Sequence, residues 1–453
     1  MNKKEVYKKV LTIGIPVAFE NTIYSFMNFI DVFMVGTENI LLGLGTTAVA
    51  GLGFANQIFM IFMVSLFGMN SGGGILTAQY FGNKDYKNLR KCLGITIIVG
   101  FLFSILFLIS SLTIPELMIG IFTKDKEALR LGIKYLKIVV WAYPIIGIGF
   151  AFNIQLRAIG QTKYSLYASI LGLFINVIAN YALIFGNFGF PAMGVEGAAI
   201  ATVFARTIST GYGIFMVYKL KLPIAGNFSE LFNLKLNFIF KVLKISLPVF
   251  GHEMLWVIGT SMYVVIYGRM GTDSAAAIQI VKSISSLVFP LIFGLASATS
   301  AIIGYEIGAG NEENAYKYSL ELLKTSILVG ILISTTVYFG SPLILKIMKT
   351  KEEIYPLTKQ ILLSESIVIV IKTAGLLLIV GILRSGGDTL WTMFVDLIPL
   401  WLVAIPLTYL SGLYFKFPIA IVYLFAASDE FIKLYPCLKR LKGKKWINNL
   451  VKV

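Results

Sequence analysis

Long apolar runs separated by short polar loops set the pattern of this chain. A helix needs about 20 mostly apolar residues to cross a hydrocarbon core about 30 Å thick. Windows of that length fall at residues 10–36, 47–79, 92–114, 132–156, 163–185, 194–217, 241–268, 274–305, 318–338, 356–383, 389–412 and 417–436. The runs are apolar on all sides, whereas the strands of a membrane barrel alternate over about 10 residues. The pattern predicts an all-α membrane protein with twelve transmembrane helices. The first run is too long for a cleavable signal peptide and lacks a small-residue cleavage site.

Composition narrows the class further. Of 453 residues, 57% are hydrophobic and only 14% charged, too few charges to cover a water-facing surface. The formal net charge of +16 would point to nucleic acid in a soluble protein, but here the basic residues gather in loops, as expected beside anionic lipid. Lys3, Lys4, Lys8 and Lys9 precede the first span; Lys84, Lys87, Arg90 and Lys91 fill the second loop. Lys219, Lys221, Lys235, Lys241 and Lys244 surround the sixth loop, and Lys439, Arg440, Lys442, Lys444 and Lys445 the tail. The first and fifth loops hold no Lys or Arg, while Lys124, Lys126, Lys346 and Lys349 blur the third and ninth. With twelve spans the strongly basic segments share one side, which predicts a multi-pass protein with both termini cytoplasmic. Two cysteines and one histidine exclude a disulfide scaffold and a Cys/His metal cluster.

The chain is also written twice. VLTIGIPVAF from Val10 resembles VLKISLPVFG from Val242, setting Pro16 opposite Pro248 and Gly36 opposite Gly268 at a separation of 232. LRAIGQT from Leu156 resembles LRSGGDT from Leu383, setting Arg157 opposite Arg384 and Gly160 opposite Gly387 at a separation of 227. GLGFANQ ending at Gln57 and SAAAIQ ending at Gln279 fall in the same order. Six spans is an even number, so the halves are parallel repeats about an axis along the membrane normal. The expected organisation is an N-lobe, 1–219, a cytoplasmic linker, 220–240, a C-lobe, 241–438, and a basic tail, 439–453. Two such lobes suit alternating access, although a duplicated bundle can also be a channel or a scaffold.

These segments resemble the multidrug and toxic compound extrusion (MATE) family, with its bacterial DinF-like branch the most similar. The resemblance lies in PVAFENTIYSFMNFIDVFMVG from Pro16, the paired LRxxGxT motifs, GVEGAAIAT from Gly194, the eighth-helix ending near Gly308 and the tail KKWINNL. It implies a V-shaped fold of two pseudo-symmetric six-helix lobes, and a monomer of the bacterial inner membrane. It also implies an antiporter that expels cationic or amphipathic organic compounds in exchange for H⁺ or Na⁺, with no cofactor. At the matching family position, Asp31 is the cation-coupling acid. Relatives often carry Asn then Asp where this chain has Asn176 and Asn180, so Asn180 departs from the pattern. Flippases of the same superfamily, which move lipid-linked precursors and in many cases have fourteen spans, are the competing assignment.

Charges inside the apolar runs are the candidate chemistry, because each costs on the order of 2.5–3.5 kcal/mol at mid-bilayer. Asp31 lies among Phe29, Ile30, Val32 and Phe33, with no Lys or Arg within two turns along the helix. Such a carboxylate suits alternate binding of a proton or Na⁺ and of a cationic substrate; no other metal site is expected. Asn176 and Asn180, four apart, share a helix face and can supply amide oxygens, or can simply pack helices together. The second half carries His252, Glu253, Lys282, Glu365, Lys372 and Asp396. Lys372 and Glu365 are seven apart and can share a face, and Glu253, Lys372 and Asp396 can form a network that is either structural or opened by substrate. His252 is expected to be a hydrogen-bonded core residue, with pH sensing as the alternative. Arg157 and Arg384 open equivalent short loops and are expected to anchor helix ends to lipid or to backbone carbonyls. The sequence contains no nucleophile–base motif, P-loop or metal cluster, so neither enzymatic activity nor nucleotide-driven pumping is expected. The expected partners are small organic molecules and the bilayer, with no nucleic acid.

Overall fold

The computed structural model describes residues 3–41, 45–348, 350 and 352–452; Lys349 lies outside them. Regular structure among the described residues is entirely helical. The first half contains α1 (Lys3–Leu41), α2 (Gly45–Gly82), α3 (Tyr86–Thr113), the short α4 (Pro115–Gly120) and α5 (Lys126–Val139). A 3₁₀ turn carries α5 into α6 (Tyr143–Ala158) as a single span, and α7 (Thr162–Phe185) and α8 (Val195–Lys219) follow. After the one-turn α9 (Phe228–Phe232) come α10 (Leu236–Arg269), α11 (Thr272–Gly308), α12 (Glu312–Ile347) and α13 (Tyr355–Leu376). A π-helical turn, Leu377–Leu383, ends the α13 span. The next span starts with α14 (Thr389–Pro399) and passes through π turns and α15 (Ile405–Tyr409) to Tyr414.

Among the described residues these make eleven helices long and apolar enough to cross a membrane. The twelfth predicted span is present as two shorter helices, α16 (Ile419–Ala426) and α17 (Ser428–Lys442), which meet at Ala427. Asp429, Glu430 and Lys433 follow directly, and Asp429 and Lys433 are buried. The charges interrupt the apolar run, and the chain resumes as a helix that turns those charges inward. Pro16 and Pro248 each sit inside the first long helix of their repeat.

By its contacts the chain forms two compact units. The N-terminal unit comprises Phe19–Thr77 and Asp85–Ser246; the C-terminal unit takes the residues up to Ala18, Ala78–Lys84 and Leu247 onward. The N-terminal unit is centred on Leu52, Phe62, Leu66, Leu136 and Tyr143, with the Phe62 and Tyr143 rings stacked at 4.4 Å. The C-terminal unit has one core around Ala296, Leu322, Leu378 and Trp446 and another around Val281, Ile361 and Val422. Large apolar side chains such as Phe29, Phe33, Leu332 and Phe339 are exposed, which in this composition is a lipid-facing surface.

Each unit also folds a polar segment back onto itself. In the N-terminal unit the loop after α8 forms α9, capped by reciprocal bonds between Asn227 and Glu230, and buries Leu231. A Cβ at Gly94 would overlap the Leu231 carbonyl, so glycine is what lets the loop lie against α3. In the C-terminal unit the tail buries Trp446 completely, against Gly386, where a Cβ would overlap the Trp446 backbone.

Candidate functional site

One face of α1 carries Glu20, Tyr24 and Asp31 into the N-terminal unit, at helical spacings of four and seven. Asp31 is 3% exposed. Its Oδ1 accepts a hydrogen bond from Asn180 Nδ2 at 2.6 Å, and its Oδ2 accepts one from Thr202 Oγ1 at 2.9 Å. Asn180 Nδ2 also donates to Asn176 Oδ1 at 3.2 Å, and Asn176 Nδ2 donates to Thr202 Oγ1 at 3.4 Å. Asp31, Asn176 and Asn180 thus form one group on α1 and α7, joined by Thr202 from α8. Every hydrogen-bond partner of the carboxylate is neutral. Arg206, the nearby cation of α8, acts on Asp31 through space while lying over the Tyr24 ring at 4.5 Å. Asn180 Oδ1 is buried and has no hydrogen-bond partner, which leaves an oxygen available beside the carboxylate.

About three turns back along α1, Glu20 is fully buried and its Oε2 accepts from Arg157 Nη2 at 3.0 Å. A cavity of about 30 Å³, lined by Tyr24, Asn153, Ser169 and Thr210 among others, adjoins this stripe and has room for about one water.

The C-terminal unit answers with charges that are paired. Arg384 Nη1 donates to Glu253 Oε1 at 2.8 Å and Arg384 Nη2 to His252 Nδ1 at 2.6 Å. A guanidinium can only donate, so this contact, shorter than the 3.2 Å from Nδ1 to Glu253 Oε1, favours the lone pair on Nδ1 and the ring proton on Nε2. From there it is donated to Asp396 Oδ2, 2.6 Å away. Lys433 completes the chain, 2.7 Å from Asp396 Oδ1 and 2.9 Å from Glu430 Oε2. The network expected among Glu253, Lys372 and Asp396 therefore has different members: Lys433 occupies the place given to Lys372. Lys372 instead pairs along its own helix with Glu365, at 3.1 Å, because seven residues are two turns. Ser285 and Tyr423 also donate to Glu365, at 2.8 and 2.7 Å. Lys282 lies near Lys372 on the exposed side of α11.

The two repeat-motif arginines correct another expectation. Arg157 and Arg384 are 8% and 3% exposed and hold buried acids, so neither reaches out to lipid. Glu20 was not among the residues singled out from the sequence. Its signal was there, since it follows Pro16 by four residues as Glu253 follows Pro248 by five, each opposite its half's arginine. Thr202, Lys433 and Glu430 were also missed. Thr202 looks like any hydroxyl in a helix, and the other two stand where the last apolar run ends.

Two matching LRxxGxT motifs on a chain of membrane-crossing helices, with ionisable groups held inside each half, mark a multi-pass membrane protein, and similarity to known proteins makes it a transporter. The MatE family model matches residues 16–182 and 248–410, one stretch in each repeat, and the chain belongs to that family. It is 24% identical over 438 residues to the uncharacterised transporter YisQ of Bacillus subtilis, covering 95% of this chain and 93% of that one. It is 24% identical over 433 residues to the probable multidrug resistance protein NorM of Thermotoga maritima, covering 91% and 87%. Among solved structures, a MATE crystal structure in the bent conformation superposes with a TM-score of 0.86 at 17% identity, over 97% of this chain and 96% of the other. The Vibrio cholerae MATE transporter VcmN in the bent form gives a TM-score of 0.86 at 15% identity, over 98% and 99%.

Proposed function

We propose that this protein is a cation-coupled antiporter of the bacterial inner membrane, with both termini cytoplasmic, that exports amphipathic organic compounds. Its two lobes, 1–219 and 241–438, alternate access about the 220–240 linker. The relatives named as probable multidrug resistance proteins support this reading. The observation that carries it is Asp31: a buried carboxylate whose hydrogen-bond partners are all neutral.

A proton or Na⁺ from outside neutralises Asp31 and is itself cargo. For Na⁺, the carboxylate, the amide oxygens of Asn176 and Asn180 and the Thr202 hydroxyl offer hard oxygen donors. Hydrogen bonds to a charged acceptor are worth about 1.5–3 kcal/mol and those to a neutral one about 0.5–1.5. Neutralising Asp31 therefore loosens α1 from α7 and α8, and loss of the ion tightens it again. The ion shifts the transport equilibrium by as much as its affinity differs between the two arrangements, and no more.

The test is efflux of a panel of fluorescent dyes of either charge from vesicles, with proton and sodium gradients imposed separately. Wild-type protein should respond to one gradient, and Asp31→Asn should respond to neither while remaining folded. A variant that exported dye at the wild-type rate would remove Asp31 from the coupling step.

A further inference from the structure

The buried networks described so far leave two positive charges facing open space in the C-terminal unit. On α11, Gln279, Lys282, Ser283 and Ser286 are all exposed, and their spacing of three, four and seven puts them on one helix face. Lys282 is ten residues into α11, about 15 Å along the axis from Thr272. Ser283 and Ser286 donate to carbonyls of their own helix, but the ammonium of Lys282 and the amide of Gln279 exposed at that depth belong against water and not against lipid tails. Lys282 has no ion pair among the described residues. The charge that acts on it is another cation, Lys372, whose side chain is 37% exposed.

Glu365 cannot neutralise both lysines. It is buried, and its oxygens already accept from Ser285, Tyr423 and Lys372. Glu430 acts on Lys372 as well, whereas Lys372 is the charge that acts on Lys282, so the Lys282 ammonium is left unmatched. Lys372 uses its contact with Glu365 on one side and lies over the Tyr423 ring at 5.6 Å, and an ammonium has three protons to donate. Holding two like charges together inside the membrane is costly unless an anion comes between them.

We propose that Lys282 and Lys372 form a binding site for the acidic group of an amphipathic organic anion, a carboxylate, sulfonate or phosphate. The Lys282 and Lys372 ammonium groups donate to the anion from two helices. Gln279 offers its side-chain N–H groups on the same face of α11, while the Ser286 hydroxyl donates to the Ser283 carbonyl. Ser285, Tyr423 and Glu365 hold Lys372 in place and do not touch the ligand. That the anion is cargo rests on the transport function proposed above; that it binds does not.

Purified full-length protein in phosphatidylcholine nanodiscs provides the test, with taurocholate as the anionic probe and ethidium as the cationic one, both titrated calorimetrically. Taurocholate should bind wild type. Lys282→Gln, an exposed substitution that leaves the packing intact, should weaken it about tenfold or more, and Lys282→Arg should restore most of the loss. Lys372→Gln should weaken it similarly without weakening ethidium binding. Adding phosphatidylglycerol to the discs separates the sources of the anion: competition would make the occupant a bilayer lipid, and its absence a dissolved solute, and either supports the site. Equal taurocholate affinity in wild type and Lys282→Gln, or no taurocholate binding by wild type, would overturn it. Failure of the transport reading looks different. Neither gradient would then move either dye, while taurocholate binding would still depend on Lys282.

Discussion

The two halves of this chain carry the same skeleton and treat charge in opposite ways. In both, the first long helix brings an acid to the arginine of the LRxxGxT motif, Glu20 to Arg157 and Glu253 to Arg384. Beyond that shared bridge they part. In the N-terminal unit the next acid, Asp31, is met by two amides and a hydroxyl; in the C-terminal unit Asp396 is met by His252 and Lys433. The backbone parts at the same place: Arg157 lies in the last turn of the regular α6, whereas Arg384 follows a π-helical turn. π turns often accompany functional departures from a regular helix. The contrasted acids are not counterparts, since in the repeat registers Asp31 falls opposite Tyr263 and Asp396 opposite Ser169; each half has placed its own buried acid on the shared frame. A carboxylate held by neutral donors can exchange a cation, while one held by an ammonium already has its cation built in. On the function proposed above, the same fold thus offers a site free to cycle in one half and a braced acid in the other.

The most direct way to break this comparison is to make the same change in both halves. Asp396→Asn takes from buried Lys433 its shortest ion pair and leaves Glu430 in contact and Asp429 nearby, and breaking a buried pair from one side costs about 3–5 kcal/mol. It should appear as a large loss of thermal stability or of folded yield in detergent. Asp31→Asn breaks no ion-pair contact, since buried Arg206 acts on Asp31 only through space, so its melting curve should stay closer to wild type than that of Asp396→Asn while gradient-driven transport falls to background. If the two variants melted alike, Asp396 would not be a brace, and the contrast between the units would fail.

A smaller effect sharpens the account of the shared bridge. Glu253→Gln and Arg384→Gln, made singly and together, form a double-mutant cycle whose coupling energy should be about 0.5–3 kcal/mol. The same cycle with Glu20→Gln and Arg157→Gln should give a coupling of the same sign. His252 accepts from Arg384 only in the C-terminal unit, so Arg384→Gln should leave Nδ1 facing Glu253 Oε1, 3.2 Å away, and change the imidazole NMR signal. Arg157 has no histidine counterpart at Glu20, and the N-terminal cycle should carry no such signature.

The spans were legible in the sequence because burying backbone in lipid demands long apolar helices, and the duplication because Pro16, Arg157 and their counterparts repeat in order. Asp31 stood out because a charge among phenylalanines is costly. What could not be read was partnership. Glu253 and Arg384 are 131 positions apart, and apolarity along a helix says nothing about which face meets which neighbour. Lys372 was assigned to the wrong acid for this reason, while its pairing with Glu365 obeys a local spacing and was readable. Lys433 was hidden for another reason: it lies after the break at Ala427, where the last apolar run gives out and a charge looks like the start of a loop. The polar segments after α8 and α17 were hidden in the same way, since nothing in a basic stretch announces that Leu231 or Trp446 is buried.

Those two segments offer the mildest test, because each unit is closed by one and only the N-terminal one is capped by a carboxylate; the exposed tail pair of Lys452 with Glu312, at 3.8 Å, lies beyond the Trp446 contact. Glu230 accepts from the Asn227 backbone N–H at 2.8 Å and pairs with Arg90 at 2.6 Å. The backbone bond and the Arg90 charge hold its carboxyl below the ordinary range. A group whose pKa is lowered by folding contributes when pH is above its unfolded value, about 4.3 for glutamate, and the contribution fades as pH falls through the folded value. Acidification below about 4 should therefore loosen α9, seen as faster amide hydrogen exchange at Leu231. Glu230→Gln should make that exchange insensitive to pH beyond the intrinsic rate. The Trp446 segment should show no such step, because burial of the indole against Gly386 involves no carboxylate. Equal acid sensitivity at both segments would mean that something other than the Asn227–Glu230 cap and Arg90 holds the loop down, and that the two units are closed in the same way after all.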